Sequence, residues 1–254
     1  MGKVIAIGNQ KGGVGKTTTA VNLGAALAFQ GQKVLLLDMD SQGNATSGLG
    51  VERADVKQSM FEVLIDQIDM ASCILPTSRE NLWIVPSTVQ LAGAELALAS
   101  ASEREYRLKQ AIEPIKDQYD YILIDCPPSL GQLSLNAFTA SNTILIPVQC
   151  EYYALEGLSQ LLNTIRLVQR TYNKSFRIEG VLLTMLDSRT NLGYEVVDEV
   201  RKYFQEKVYQ TIITRNVRLS EAPSHGQSVI DYEPRSRGAE AYMELAKEVL
   251  ANGK

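Results

Sequence analysis

The chain has 254 residues, 45% of them hydrophobic and 21% charged, with a formal net charge of −4. This is ordinary globular composition, and the length fits one α/β domain with an ample core and no second domain. Cys73, Cys126 and Cys150 form no C-x-x-C and cannot all pair, which argues against a disulfide framework and suits a reducing cytosol. The lone histidine, His225, reads as a loop residue in Pro223-Ser224-His225-Gly226, so zinc ligation or histidine catalysis has little to build on.

Short apolar runs alternate with helical patterns from end to end. Strands are predicted at 3–8, 33–37, 82–85, 121–125, 143–148, 178–184 and 208–213, rich in Val, Ile and Leu as expected of strands covered on both faces. Helices are predicted near 17–30, 56–66, 103–118, 131–140, 155–171, 191–206 and 238–251, while the alanine-rich stretch 92–102 reads as helix or turn. The alternation predicts a mostly parallel twisted sheet with right-handed crossovers and helices on both faces, in one domain over 1–254. In the last helix Tyr242, Leu245, Ala246, Val249 and Leu250 share a face opposite Glu240, Glu244, Lys247 and Glu248. A membrane-targeting helix is rich in Lys or Arg on its polar face, so this one reads as a packing helix. No apolar run nears the roughly 20 residues that span a bilayer, and Ala6 stands where a myristoylation motif needs Ser or Thr. The expectation is a soluble cytoplasmic protein with no membrane partner.

The first strand runs into Lys11-Gly12-Gly13-Val14-Gly15-Lys16-Thr17-Thr18, followed by a helical pattern. Strand, glycine loop and helix is the context of a phosphate site, with backbone N–H groups closing around phosphate oxygens at the positive end of the helix dipole. Lys16 then meets the β/γ-phosphates and the Thr17 hydroxyl ligates Mg²⁺. The usual eight-residue pattern fails, because Gln10 stands at its first glycine; what fits is K-G-G-x-G-K-[ST] with an additional early lysine, Lys11.

Ligands of such sheets collect at the carboxyl ends of strands. Two of these ends carry acids: Leu37-Asp38-Met39-Asp40-Ser41-Gln42-Gly43-Asn44 and Ile124-Asp125-Cys126-Pro127-Pro128-Ser129. Asp38 and Asp40 are open to a site role or to capping a turn. The acidic net charge argues against nucleic acid, but its distribution does not. Arg166, Arg170, Lys174 and Arg177 lie in 157–178 without an acid, as do Lys207, Arg215 and Arg218 in 207–220. Such stripes read either as solvated faces or as contacts to phosphate backbones.

The Lys11–Thr18 loop resembles the deviant Walker A motif of the ParA/MinD ATPases. Together with Asp38-x-Asp40-x-Gln42-Gly43-Asn44, Asp125–Ser129, the run 147–157 and the run 215–223, it makes nearly the whole chain similar to the short, Soj-type ParA partitioning proteins. The resemblance implies a slow ATP hydrolase in which ATP and Mg²⁺ join two subunits face to face. It implies that Lys11 reaches the partner's ATP, that Asp125 is the Walker B acid that holds Mg²⁺ through water, that Asp40 positions or polarises the attacking water, that Asn216 lies beside the adenine, and that Glu151 contacts the partner's ribose. Gly12, Gly13, Val14, Gly15, Lys16, Thr17 and Thr18 hold the phosphates. Arg189 and Arg218 match positions that bind DNA without sequence preference in the ATP dimer, which would then associate with the nucleoid. A ParB-like centromere-binding partner would stimulate hydrolysis and so release the DNA. The chain departs from the family at Ser41 and Thr214, where proline is usual, which loosens the loop after Asp40 and the backbone at the adenine pocket. Three other readings share the loop: a MinD-like spatial regulator at a membrane, an iron–sulfur reductase ATPase with cysteines bridging a cluster, and a DNA scaffold that binds ATP without turnover.

Overall fold

Eight strands form one sheet, in the order β3-β4-β2-β5-β1-β6-β7-β8, in the computed structural model, which describes residues 2–151 and 158–252. The strands are β1 (Lys3–Ile7), β2 (Val34–Asp38), β3 (Leu75–Pro76), β4 (Leu82–Val85), β5 (Tyr121–Asp125), β6 (Thr143–Gln149), β7 (Arg177–Leu186) and β8 (Val208–Thr214). All pairings are parallel except β3 with β4. The two-residue β3 escaped the sequence, since Leu75-Pro76 is too short for a periodic signal and proline sits only at a sheet edge.

The helices are α1 (Lys16–Phe29), α2 (Asn44–Gly48), α3 (Met60–Ile65), α4 (Ala94–Ala99), α5 (Arg107–Ile112), α6 (Gln132–Ala140), α7 (Leu158–Thr171), α8 (Asn191–Phe204), α9 (Val217–Glu221), α10 (Val229–Tyr232) and α11 (Arg237–Asn252). The predicted helix 56–66 starts only at Met60, because Ser59 and Glu62 close a capping box on its first turn. The predicted 103–118 is cut to α5, with Pro114 ending it and a 3₁₀ turn over Lys116–Gln118. The predicted onset at 155–157 lies outside the described residues.

Alternation along the central strands splits the core in two. Val4, Ala6, Leu35, Leu37, Ile122 and Ile124 face one layer with α3, α5, α6, α7 and α8. Ile5, Ile7, Leu36 and Leu123 face the other, where α1 and α11 pack. Tyr242, Leu245, Ala246 and Val249 of α11 are buried there, and Glu248 accepts the N–H groups of Gln210 and Thr211, each at 2.8 Å. The last helix therefore packs on the sheet and caps part of edge strand β8. Among the described residues no helix is long and apolar enough to cross a membrane.

Candidate active site

The carboxyl ends of β1, β2 and β5 are level: Ile7 pairs with Asp125, and Asp38 pairs with Asp125 from the other side. Everything that follows is built on that edge. Between β1 and α1 the chain wraps through residues 8–15, with Gly13 (φ 73°) and Gly15 (φ 89°) in the left-handed region that favours glycine. A Cβ added at Gly12 or Gly13 would meet nothing within 4 Å, so the hollow above the loop is open to a ligand. The loop is tied from behind: the Thr184 hydroxyl donates to the Val14 carbonyl (2.9 Å) and the Asn9 amide to the Pro147 carbonyl (2.7 Å). No acid occupies the first turn of α1, leaving its positive end uncompensated.

Lys16 is only 7% exposed, with its ammonium donating to the Lys11 carbonyl at 3.0 Å. Burial lowers its pKa, opposed first by Asp125 and also by the charge of Asp40. Thr17 and Thr18 are half-buried on the following turn. Asp125 is fully buried, and neither of its carboxylate oxygens has a hydrogen-bond partner. Its pKa is driven well above the carboxylate range by burial first and by Asp38 next; the Thr17 hydroxyl, close by without completing a hydrogen bond, and Lys16 draw it back. An orphaned buried carboxylate beside a threonine hydroxyl fits Mg²⁺ and its water shell. No group of three or more acid, cysteine or histidine ligands occurs among the described residues. An ion here would thus take Thr17 and Asp125 from the protein and its other ligands from phosphate and water.

The two acids after β2 separate clearly. Asp38 is buried, and its Oδ2 accepts from both the backbone N–H (2.9 Å) and the hydroxyl (2.7 Å) of Thr46, while Oδ1 accepts the Asp40 N–H (3.1 Å). Burial pushes its pKa up to about 6 against those bonds. Asp40 is half-buried; its Oδ1 accepts the Gln42 N–H (3.0 Å), and its charge acts on both Lys16 and Asp125. Both acids therefore hold turns, but Asp38 is spent inside the fold whereas Asp40 stands at the site.

Lys11 is half-exposed, its ammonium 3.7 Å from Glu151 of the same chain. Glu151 also accepts from the Arg215 guanidinium (3.2 Å) and from the Gln149 amide. The rest of the run from Tyr152 to Gly157 lies outside the described residues. Beside the loop, Gly15, Thr18, Met185, Ile213 and Asn216 line a cavity of about 360 Å³. Asn216 caps α9, its side-chain Oδ1 accepting the Arg218 N–H (2.9 Å). Thr184 and Met185 went unnoticed in the sequence, although the carboxyl-end rule applied to strand 178–184 points to them. Met185 sits in the left-handed region at φ 54°, a strained position on the cavity wall.

Arg189 and Arg218 are both exposed beyond the neighbouring strands β7 and β8. Arg218 is carried on the short helix α9. Each has its own acid: Arg189 forks onto Asp187 (2.9 and 2.7 Å), and Arg218 pairs with Glu221 (2.7 Å). Arg166, Arg170, Lys174 and Arg177 are exposed on and after α7. All three cysteines are buried and unpaired, and burial pushes up the Cys126 and Cys150 thiols, the latter to about 11. His225 stacks on Tyr232 with ring centres 4.8 Å apart.

Residues 2–178 match the AAA domain family. Over 253 residues the chain is 66% identical to the sporulation initiation inhibitor protein Soj of Bacillus subtilis, covering all of both chains. The chain belongs to the ParA/MinD family, in its Soj-type branch. It is 51% identical over 250 residues to the chromosome partitioning protein ParA of Myxococcus xanthus, covering 98% of this chain and 88% of that one. A solved structure of cobyrinic acid a,c-diamide synthase from Mycobacterium smegmatis with bound ADP and magnesium superposes with a TM-score of 0.88 at 37% identity. That match spans 100% of this chain and 96% of the other. A shared fold does not by itself fix the task.

Proposed function

We propose that this Soj-type partitioning ATPase is an ATP-driven dimer switch on DNA, with residues 1–254 acting as one ATPase domain. The observation that carries the reading is the pair of unpartnered, fully buried oxygens of Asp125, set beside Thr17 at the foot of a phosphate loop. The loop amides from Gly12 to Thr18 and the Lys16 ammonium would bind the phosphates, and the cavity beside Asn216 would take the adenine. Mg²⁺, when bound, neutralises phosphate charge. Phosphoryl transfer needs little covalent chemistry from the protein, so positioning and charge by Lys11, Lys16 and Asp40 supply most of the rate.

In this reading Lys11 and Glu151, which meet within one chain, exchange that contact for the partner's nucleotide when two subunits close around ATP. A flexible cation gains most where a water-excluded interface strengthens its pull on developing phosphate charge. The dimer sets two copies of Arg189 and Arg218 against non-specific double-stranded DNA, hence on the nucleoid, and hydrolysis stimulated by a ParB-like partner releases it. Burial of the apolar face of α11 leaves a MinD-like membrane helix without its binding face, and buried cysteines disfavour a bridged iron–sulfur cluster.

The deciding experiment is light scattering and DNA retention with Mg²⁺ and ATP, with ADP, and with no nucleotide. The expected result is a dimer that retains unrelated DNA fragments only with ATP. A protein that stays monomeric with ATP, or that binds DNA equally in all three states, would remove the switch. Sedimentation with anionic lipid vesicles, expected to be negative, addresses the membrane reading.

A further inference from the structure

The loop that carries Asp40 is closed by a hydrogen-bonded chain of three residues, Asp38, Thr46 and Ser87, that the sequence does not reveal. Residues 39–45 leave the sheet at Asp38 and return at Thr46, the third residue of α2. At that return Thr46 donates twice to one oxygen of Asp38, from its N–H at 2.9 Å and from its hydroxyl at 2.7 Å. The same hydroxyl oxygen accepts the N–H of Ser87, just past β4, at 3.0 Å. Asp38 and Thr46 are 0% exposed and Ser87 is 1% exposed. The hydroxyl is therefore used in both senses, as donor and acceptor, in a place without competing water.

Three further contacts fix the path of the loop. Asp38 takes the Asp40 N–H with its other oxygen (3.1 Å), so the residue that Thr46 anchors and the residue to be positioned are directly joined. Gly43, at φ 64°, passes so close to Ser87 that a Cβ would lie 3.2 Å from the Ser87 carbonyl. From outside, Arg53 donates to the Gln42 carbonyl at 2.7 Å. This chain has Ser41 rather than a conformationally fixed proline in the loop. Its shape must then come from tertiary contacts, of which Thr46 makes the central ones.

We propose that Thr46 is a positioning residue for hydrolysis, holding the two ends of loop 39–45 so that Asp40 presents its carboxylate to the attacking water. The proposal rests on the Asp40 role proposed above. Small misplacements of such a group cost on the order of 100-fold in rate without any loss of nucleotide contacts.

The test compares Thr46→Val, Thr46→Ser and Asp40→Ala in the full-length protein with Mg²⁺ and ATP. Thr46→Val keeps the shape and the backbone bond but deletes the hydroxyl. It is expected to keep its ATP affinity and ATP-dependent dimerisation while kcat falls by about 10- to 100-fold. Thr46→Ser, which restores the hydroxyl, is expected to recover kcat. Wild-type kcat in Thr46→Val beside an inactive Asp40→Ala overturns the Thr46 role alone. A parallel loss of ATP affinity, dimerisation and melting temperature in Thr46→Val reduces Thr46 to a structural part and also overturns it. A Thr46→Ser variant as slow as Thr46→Val does the same. Normal hydrolysis by Asp40→Ala instead overturns the parent reading. Should Thr46→Val not fold, Thr46→Cys, a smaller side chain with a poor donor, takes its place with the same expected split.

Discussion

Asp38 and Asp125 stand side by side at the ends of neighbouring strands, both 0% exposed, yet Asp38 is fully hydrogen-bonded and Asp125 not at all. Two buried carboxyls in register cannot both ionise cheaply: burial raises both pKa values, that of Asp38 to about 6, and the charge of Asp38 raises that of Asp125 further. Because the folded pKa lies above the unfolded one, the contribution to stability is full below the unfolded value near 3.8 and is lost as pH rises through about 6. Asp125→Asn removes the repulsion. Its stability relative to wild type is expected to rise as pH increases from about 3.8 through about 6, by on the order of 1–3 kcal/mol without Mg²⁺. Urea unfolding of both proteins across that range checks it; a difference that does not change with pH would disprove the coupling.

The two lysines of the loop are expected to fail differently. Lys16→Ala deletes the buried cation of the phosphate site and should abolish ATP binding. Lys11→Ala should bind ATP and remain monomeric, since the Lys11 ammonium is half-exposed and, among the described residues, pairs with the peripheral Glu151. Labelled-ATP binding and light scattering separate the two; an ATP-dependent dimer from Lys11→Ala removes its role across the interface.

Asp40→Ala is expected to bind ATP and to dimerise, with turnover reduced by about 100-fold or more. The dimer should persist, because the step that ends it is blocked. Asp38 offers no substitute, as its oxygens are occupied by Thr46 and by the Asp40 N–H. Phosphate release measured alongside dimer lifetime checks both halves; normal turnover with a normal lifetime shows that another group orients the water.

For DNA, a dimer neutralising roughly four to eight phosphates should lose affinity with log salt at a slope of about −4 to −7. Arg189→Glu or Arg218→Glu should flatten that slope and weaken unrelated sequences alike, leaving ATP-dependent dimerisation intact. Asp187 competes for the Arg189 fork, in a pair whose carboxyl is held well below its usual range by that arginine. Asp187→Asn should therefore tighten DNA binding by a few-fold, the modest effect expected of an exposed ion pair. The same change in an Arg189→Gln background should gain less. Equal gains in both backgrounds would mean that only the net charge mattered.

What the sequence determined by itself was whatever is contiguous. The phosphate loop from Lys11 to Thr18, the acid at the end of strand 121–125 and the short apolar strands all carry their signal within a few residues. A backbone cradle and a doubly covered strand need no distant partner to be recognised. The tertiary structure decided what depends on meetings between remote segments. Asp38 and Asp40 look alike in the sequence and are separated only by Thr46, which is itself held by Ser87 41 positions away. Thr184 braces Val14 across 170 positions, and Met185 becomes a cavity wall only because β7 lies beside β8. Arg218 took its place on a helix because Asn216 caps α9, a local bond that propensity alone did not announce. Burial makes such bonds strong by excluding water, and which groups become buried together is a property of the folded sheet rather than of any one stretch of chain.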